Sequence, residues 1–74
     1  MNHAHVLFHS THHALWAEEV LGEAGLAVEV VSVPRQLSSD CGYCVRLQPE
    51  DVERARSALT TAGVEFEQIH TPGP

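Results

Sequence analysis

The sequence predicts an α+β domain of the ferredoxin-like split β-α-β sandwich type. The expected order is β-α-β-β-α-β, with two helices covering one face of an antiparallel sheet of strand order 4-1-3-2. Three observations lead there. Two segments repeat apolar residues at spacings of three and four, and each stops at a glycine. Four short segments around them are β-branched or alternate in polarity. The length, 74 residues, suits one domain near the lower limit for a self-sufficient core. Residues 1–74 therefore read as a single unit, with its core at about 4–69 and a loose tail at 70–74.

Each element has its own signature. "AHVLF", residues 4–8, is a short strand whose only polar residue is His5. In "STHHALWAEEVLGEAG" the period changes to that of a helix, with Ala14, Ala17, Leu21 and Ala24 on one face and Trp16 and Val20 beside it. Ser10 or Thr11 can cap its start, and Gly25 can end it in a left-handed conformation. "LAVEVVSV", 26–33, is β-branched and stops at Pro34, which cannot donate to a ladder. "PRQLSSD" is a loop, in which Ser38 and Ser39 read as turn residues. "YCVRLQ" alternates, placing Cys44 on the face opposite Tyr43, Val45 and Leu47. "PEDVERARSALTTAG" is the second helix, with Pro49 in its first turn, Glu50 and Asp51 favouring its dipole, and a core stripe of Val52, Ala55, Leu59 and Ala62 up to Gly63. "VEFEQI" is the last strand, with Val64 and Phe66 facing inward.

Composition removes several classes of function. Net charge is −6, and the four basic residues are all arginines. Such a chain repels phosphate backbones and carries no basic stripe, so nucleic acid is not an expected partner. Without lysine there is no lysine Schiff base. No apolar run is long enough to span a membrane. The opening "MNHAHVLFHSTHH" lacks the basic and apolar regions of a signal peptide, so a cytoplasmic location is expected, where a cysteine pair is seldom a structural disulfide. Six histidines are many for this length, and five lie within residues 3–13. His3, His5 and His70 read as surface residues. Glu18 and Glu19 read as a solvated face, and Arg54 and Arg56 as partners of the glutamates of the second helix.

The two cysteines, Cys41 and Cys44, fall in "SSDCGYC". In the expected topology the end of the first strand, the start of the first helix, the end of the second strand and the start of the third share one edge. Cys41 enters that edge from the loop, and His9, Ser10, Thr11, His12 and His13 enter it from the other side. The N–H groups of a helix N-terminus stabilise an anion, and a nearby imidazole adds to this. Asp40 opposes the effect. Gly42 leaves the backbone bare beside the sulfur, which eases the approach of a substrate. Arg35 can hold an anionic group near Cys41, although a solvated loop arginine is the plainer reading.

Cys44 is an odd number of residues from Cys41 and so points the other way, into the helix–sheet core or onto the open sheet face. Buried cysteines are usually inert, which favours a small packing residue. A redox pair would need both sulfurs in a turn or first helical turn, and here the motif runs into a strand. A metal site is the competing reading, with zinc or another transition metal held by Cys41, Cys44, His9 and His12. Its ligand spacing matches no diagnostic pattern.

Three stretches, "FHSTHHALWAEEVLGEAGL", "VSVPRQLSSDCG" and "VRLQPEDVERARSALTTAGVEFEQI", together resemble the family of putative selenium/sulfur carrier protein-like domains, from about Val6 to Ile69. The most specific part is Pro34, Arg35, Ser38, Ser39, Cys41 and Gly42, followed by the run from His9 to Ala14. The resemblance implies that Cys41 carries sulfur or selenium as a persulfide or selenenyl sulfide. It further implies a sulfur-carrier or sulfur/selenium-donor protein as partner; no cofactor is expected outside the metal reading. The family commonly has a small apolar residue at the position of Cys44, which fits a packing role there. The expected site is thus Cys41 with Gly42, Ser10, Thr11, His12 and Arg35. The alternatives are the metal module and a docking or regulatory domain without chemistry, and a sheet face left open would allow a homo-oligomer.

Overall fold

The computed structural model describes residues 3–37 and 41–72. Strand β1 is Ala4–Leu7, helix α1 Thr11–Glu23, β2 Val28–Ser32, β3 Tyr43–Leu47, helix α2 Val52–Ala62 and β4 Gln68–His70, with a single 3₁₀ turn at Pro49–Asp51 before α2. The four strands form one sheet in the order β2-β3-β1-β4, and all three pairings are antiparallel. Counted from the β4 edge, the order reads 4-1-3-2.

The alternation of each strand sorts its residues onto two faces. Ala4, Val6, Phe8, Val45 and Leu47 form one core with Ala14, Ala17 and Leu21 of α1 and Val52, Ala55 and Leu59 of α2. Both helices therefore cover the same face. Ala24 and Ala62, expected at the ends of the two stripes, are exposed. At these positions each helix is already turning out of register with the core.

Both helices end in the same device. Gly25 (φ 86°) and Gly63 (φ 79°) are left-handed. The N–H of the next residue reaches back to close the turn, Leu26 to Leu21 O at 3.0 Å and Val64 to Leu59 O at 2.9 Å. This is the Schellman arrangement, in which an apolar residue past the glycine packs on the last turn. It explains two corrections. Leu26 and Val64 belong to helix ends, so β2 begins at Val28 and β4 at Gln68 rather than at residues 26 and 64. Val64 is still buried and Phe66 partly so, but both reach the core from an irregular segment. The C-terminal end differs as well: His70 is paired with His5 in β4 and is not part of a loose tail. The expected first turn of α2 is tighter than an α-helix, with Asp51 N–H bonded to Gln48 O at 3.0 Å, as suits Pro49, which has no N–H to give.

The second sheet face is the one the helices leave uncovered. Register places Gln68, Leu7, Cys44 and Val31 in one row across it, and His70, His5, Arg46 and Glu29 in the next. Leu7 and Cys44 are fully buried. The segment after β2 folds back over this side, where Pro34, Gln36 and Leu37 share a cavity with His3, His5, His70 and Pro72.

His5 is not a plain surface residue. Its pKa is lowered from the ordinary 6.5, first by burial and then by His70, Arg46 and His3. At acid pH the unfolded chain therefore binds a proton that the folded chain resists. Stability is full above about pH 6.5 and falls as pH drops through the lowered value. His5→Gln is expected to flatten the loss of urea stability between about pH 7 and about pH 5. An unchanged slope would remove His5 from that account.

Candidate functional site

The chain edge that topology predicts does bring residues thirty apart into contact. Thr11 Oγ1 lies 3.5 Å from Cys41 Sγ, at the first turn of α1. The N–H of Tyr43 donates to the same sulfur at 3.3 Å. Cys41 is only 4% exposed, although Thr11, Gly42 and Tyr43 around it are exposed. No disulfide joins it to Cys44.

Ser10 is the N-cap of α1: its Oγ accepts the His13 N–H at 3.3 Å, and its carbonyl accepts the Ala14 N–H at 3.2 Å. The N–H groups of Thr11 and His12 precede these bonds, as the first amides of every helix do. The His13 ring also holds Ser10, with Nδ1 2.6 Å from Oγ. Ser10 thus shapes the turn that presents Thr11 rather than touching the sulfur. Ser10→Ala is expected to cost about 1 kcal/mol of stability, read as a lower urea midpoint. No measurable loss would mean that His13 N–H finds an equivalent partner.

The other expected site residues disperse. The His12 ring packs 5.9 Å from that of His13 and 6.4 Å from Trp16, on the outer side of the helix. His9 lines a cavity with Thr60, Gly63, Val64, Glu65 and Phe66 at the end of α2. Arg35 is exposed in the turn after β2 and makes no hydrogen bond or ion pair with a described residue. Ser38, Ser39 and Asp40, including the expected opposition of Asp40 to a thiolate, lie outside the described residues. Arg56 pairs with Glu53 at 3.4 Å, whereas Arg54 turns to Asp51 at 3.9 Å.

Cys44 is separated from the site by the sheet itself. It lies on the second face between Leu7 and Val31, and its thiol points at Ser32 O, 4.0 Å away. Its pKa is raised from 9.0 to about 11, chiefly by burial and secondly by Cys41, with Arg46 pulling the other way. Such a group stays protonated and a poor nucleophile at neutral pH. Among the described residues, no three His, Cys, Asp or Glu side chains are grouped to hold a metal ion. Cys41, Cys44, His9 and His12 do not form one ligand set, because they stand on a strand edge, a second sheet face, a helix end and a helix exterior.

Gly42 is needed neither by backbone conformation nor by packing. Its φ is not left-handed, and a Cβ there would meet nothing within 4 Å. The Tyr43 amide is the contributor that sequence reasoning missed, and the His13 ring, expected at this edge, acts there through Ser10. A backbone amide leaves no trace in a sequence. His13 was one of five crowded histidines, and only its i+3 spacing from Ser10 sets it apart.

The fold and this edge define a small α+β domain with one thiol cradled by polar groups at the start of its first helix, and a second thiol packed away. Among the described residues, no helix is long and apolar enough to cross a membrane. The chain belongs to the family described as "Putative Se/S carrier protein-like", whose model matches residues 4–71. No curated protein and no solved structure matches it.

Proposed function

We propose that this domain carries or relays sulfur or selenium on Cys41. The observation that carries the reading is the pair of polar partners at one sulfur, the Tyr43 N–H donating at 3.3 Å and the Thr11 hydroxyl, able to donate or accept, at 3.5 Å. Sulfur exchange passes negative charge from atom to atom, and donors already in place accommodate it without rearrangement. Family membership supports the same reading.

The chemistry balances without an external oxidant. The Cys41 thiolate attacks the outer sulfur of a donor persulfide. A bond forms from Sγ to that sulfur as the donor's own S–S bond breaks, and the donor leaves as a thiolate that takes up a proton. An acceptor thiolate then attacks the carried sulfur, and Cys41 leaves as a thiolate. With selenium as the outer atom the same two displacements apply. Because Cys41 is 4% exposed, the donor reaches Sγ only when part of its covering gives way. The bare backbone of Gly42 keeps that approach clear of a side chain. We take the architecture as ferredoxin-like and the setting as cytoplasmic, where free thiols and persulfides persist.

The test is direct. Reduced protein is incubated with glutathione persulfide, digested, and the added sulfur located by mass spectrometry. The gain of one sulfur atom is expected on the peptide containing Cys41, released again by a thiol. Absence of any adduct, or an adduct on Cys44 alone, would overturn the reading.

A further inference from the structure

Among the described residues, the large hydrophobic side chains left exposed are Leu15 (53%), Trp16 (37%) and Tyr43 (46%). Tyr43 adjoins the thiol through its amide, and Leu15 and Trp16 stand on α1, the helix that touches the thiol through Thr11. Leu15 follows Thr11 by four residues on the same face of α1, with Cβ atoms about 5–6 Å apart at that spacing. Thr11 in turn touches Sγ. His12, Leu15, Trp16 and Glu19 line one groove, the i, i+3, i+4, i+7 spacing of a single helix stripe. Tyr43 opens β3, its amide holds the sulfur, and it shares the helix-facing side of the sheet with Val45. The charge of the stripe is of one sign. Helix α1 has no arginine or lysine, and it carries Glu18, Glu19 and Glu23.

Resting on the carrier reading of Cys41, we infer that this stripe is the docking surface for the protein segment that exchanges sulfur or selenium with it. The segment has a cysteine, an apolar side chain for the Leu15–Trp16 groove and a basic residue beside Glu19. Displacement at sulfur needs the two reacting atoms in contact, so the partner's chain has to pass over whatever borders Sγ. Beside it is the exposed Tyr43, and one helical turn from Thr11 is the exposed Leu15 at the rim of the groove, with acidic flanks, in a chain of net charge −6. An apolar patch of this kind, rimmed by polar groups, is the usual mark of a protein contact, and like charges would exclude acidic partners.

Trp16 is the protein's single tryptophan, so its emission reports the groove directly. The probes are two synthetic peptides with serine in place of the reactive cysteine, one flanked by leucine and arginine, the other by leucine and glutamate. The basic peptide is expected to shift Trp16 emission to the blue and the acidic one to bind at least several-fold more weakly, a gap that narrows with salt. Leu15→Ser is expected to raise the Kd for the basic peptide ~tenfold, the effect of losing one buried leucine contact. Glu19→Arg is expected to invert the preference between the two peptides. The inference is overturned if emission does not respond to the basic peptide, if both peptides bind alike, or if Leu15→Ser binds as tightly as the wild type. It is also overturned if the protein is a dimer that Leu15→Ser dissociates, which would assign the stripe to a second copy. Peptide binding decides the surface, and loading by glutathione persulfide decides the chemistry, so each can fail without the other.

Discussion

Cys41→Ser is expected to abolish loading by a persulfide donor, whereas Cys44→Ala is expected to load at close to the wild-type rate. The two sulfurs sit three residues apart in one motif and both are buried, yet the polar groups around them differ. Cys41 Sγ faces a hydroxyl and an amide N–H. Cys44 is fully buried between Leu7 and Val31, with its S–H aimed at a carbonyl. With its pKa pushed up to about 11, Cys44 offers almost no thiolate near pH 7.

The same shift has a second consequence. As pH rises from 9.0 to about 11, the unfolded chain gives up the Cys44 proton while the folded chain keeps it. The folded state then binds more protons, so stability falls across that window. Urea melts of the wild type should show this alkaline loss, and those of Cys44→Ala should not. The alanine itself is expected to cost about 1 kcal/mol at neutral pH, from the small void it leaves. Loading that survives in Cys41→Ser, or that disappears in Cys44→Ala while the fold is intact, would defeat the one-thiol mechanism.

Phe8→Ala is expected to bring the domain close to unfolding. Phe8 is fully buried and heads the largest of the buried side chains, standing just past β1 in the core that joins both helices to the sheet. Truncations of this kind cost about 3–5 kcal/mol. For 74 residues, total stability at 0.05–0.15 kcal/mol per residue is about 4–11 kcal/mol. The variant should therefore lose about a quarter or more of the total, read as a large drop in urea midpoint or a loss of cooperative melting. Phe66→Ala provides the comparison, because Phe66 is only partly buried and packs on the core from outside. A Phe8→Ala loss no larger than that of Phe66→Ala would mean that the core closes over the gap.

Much of this was legible in the residues. The stripe of Ala14, Ala17 and Leu21 and that of Val52, Ala55 and Leu59 carry the helical period, and Gly25 and Gly63 mark the stops, so two helices between short strands follow from local rules. Family membership was equally legible, from the Pro34–Gly42 run and the His9–Ala14 opening. The strand limits were less so. Leu26 and Val64 look like strand residues because a Schellman turn and a buried strand both ask for an apolar side chain, and only the backbone bond made by each one distinguishes them.

The site divides in the same way. That Cys41 and the start of α1 meet at one edge follows from strand order alone, because topology is a property of the whole pattern of elements. Which side chains complete the meeting does not follow. His9, His12 and Arg35 were as plausible in sequence as Thr11, yet a residue on a helix turns by about 100° per position. One step along α1 therefore separates Thr11, against the sulfur, from His12, against Trp16. Cys44 shows the converse. Its opposition to Val45 was readable from alternation, but its burial on the face without helices was not, because the segment after β2 returns over that face. Local patterns in the residues set the order of the elements, the family and the meeting of Cys41 with the start of α1. The tertiary structure alone decided what touches that thiol, because a contact depends on rotation about a helix and on the path of a returning loop, and neither has a local signature.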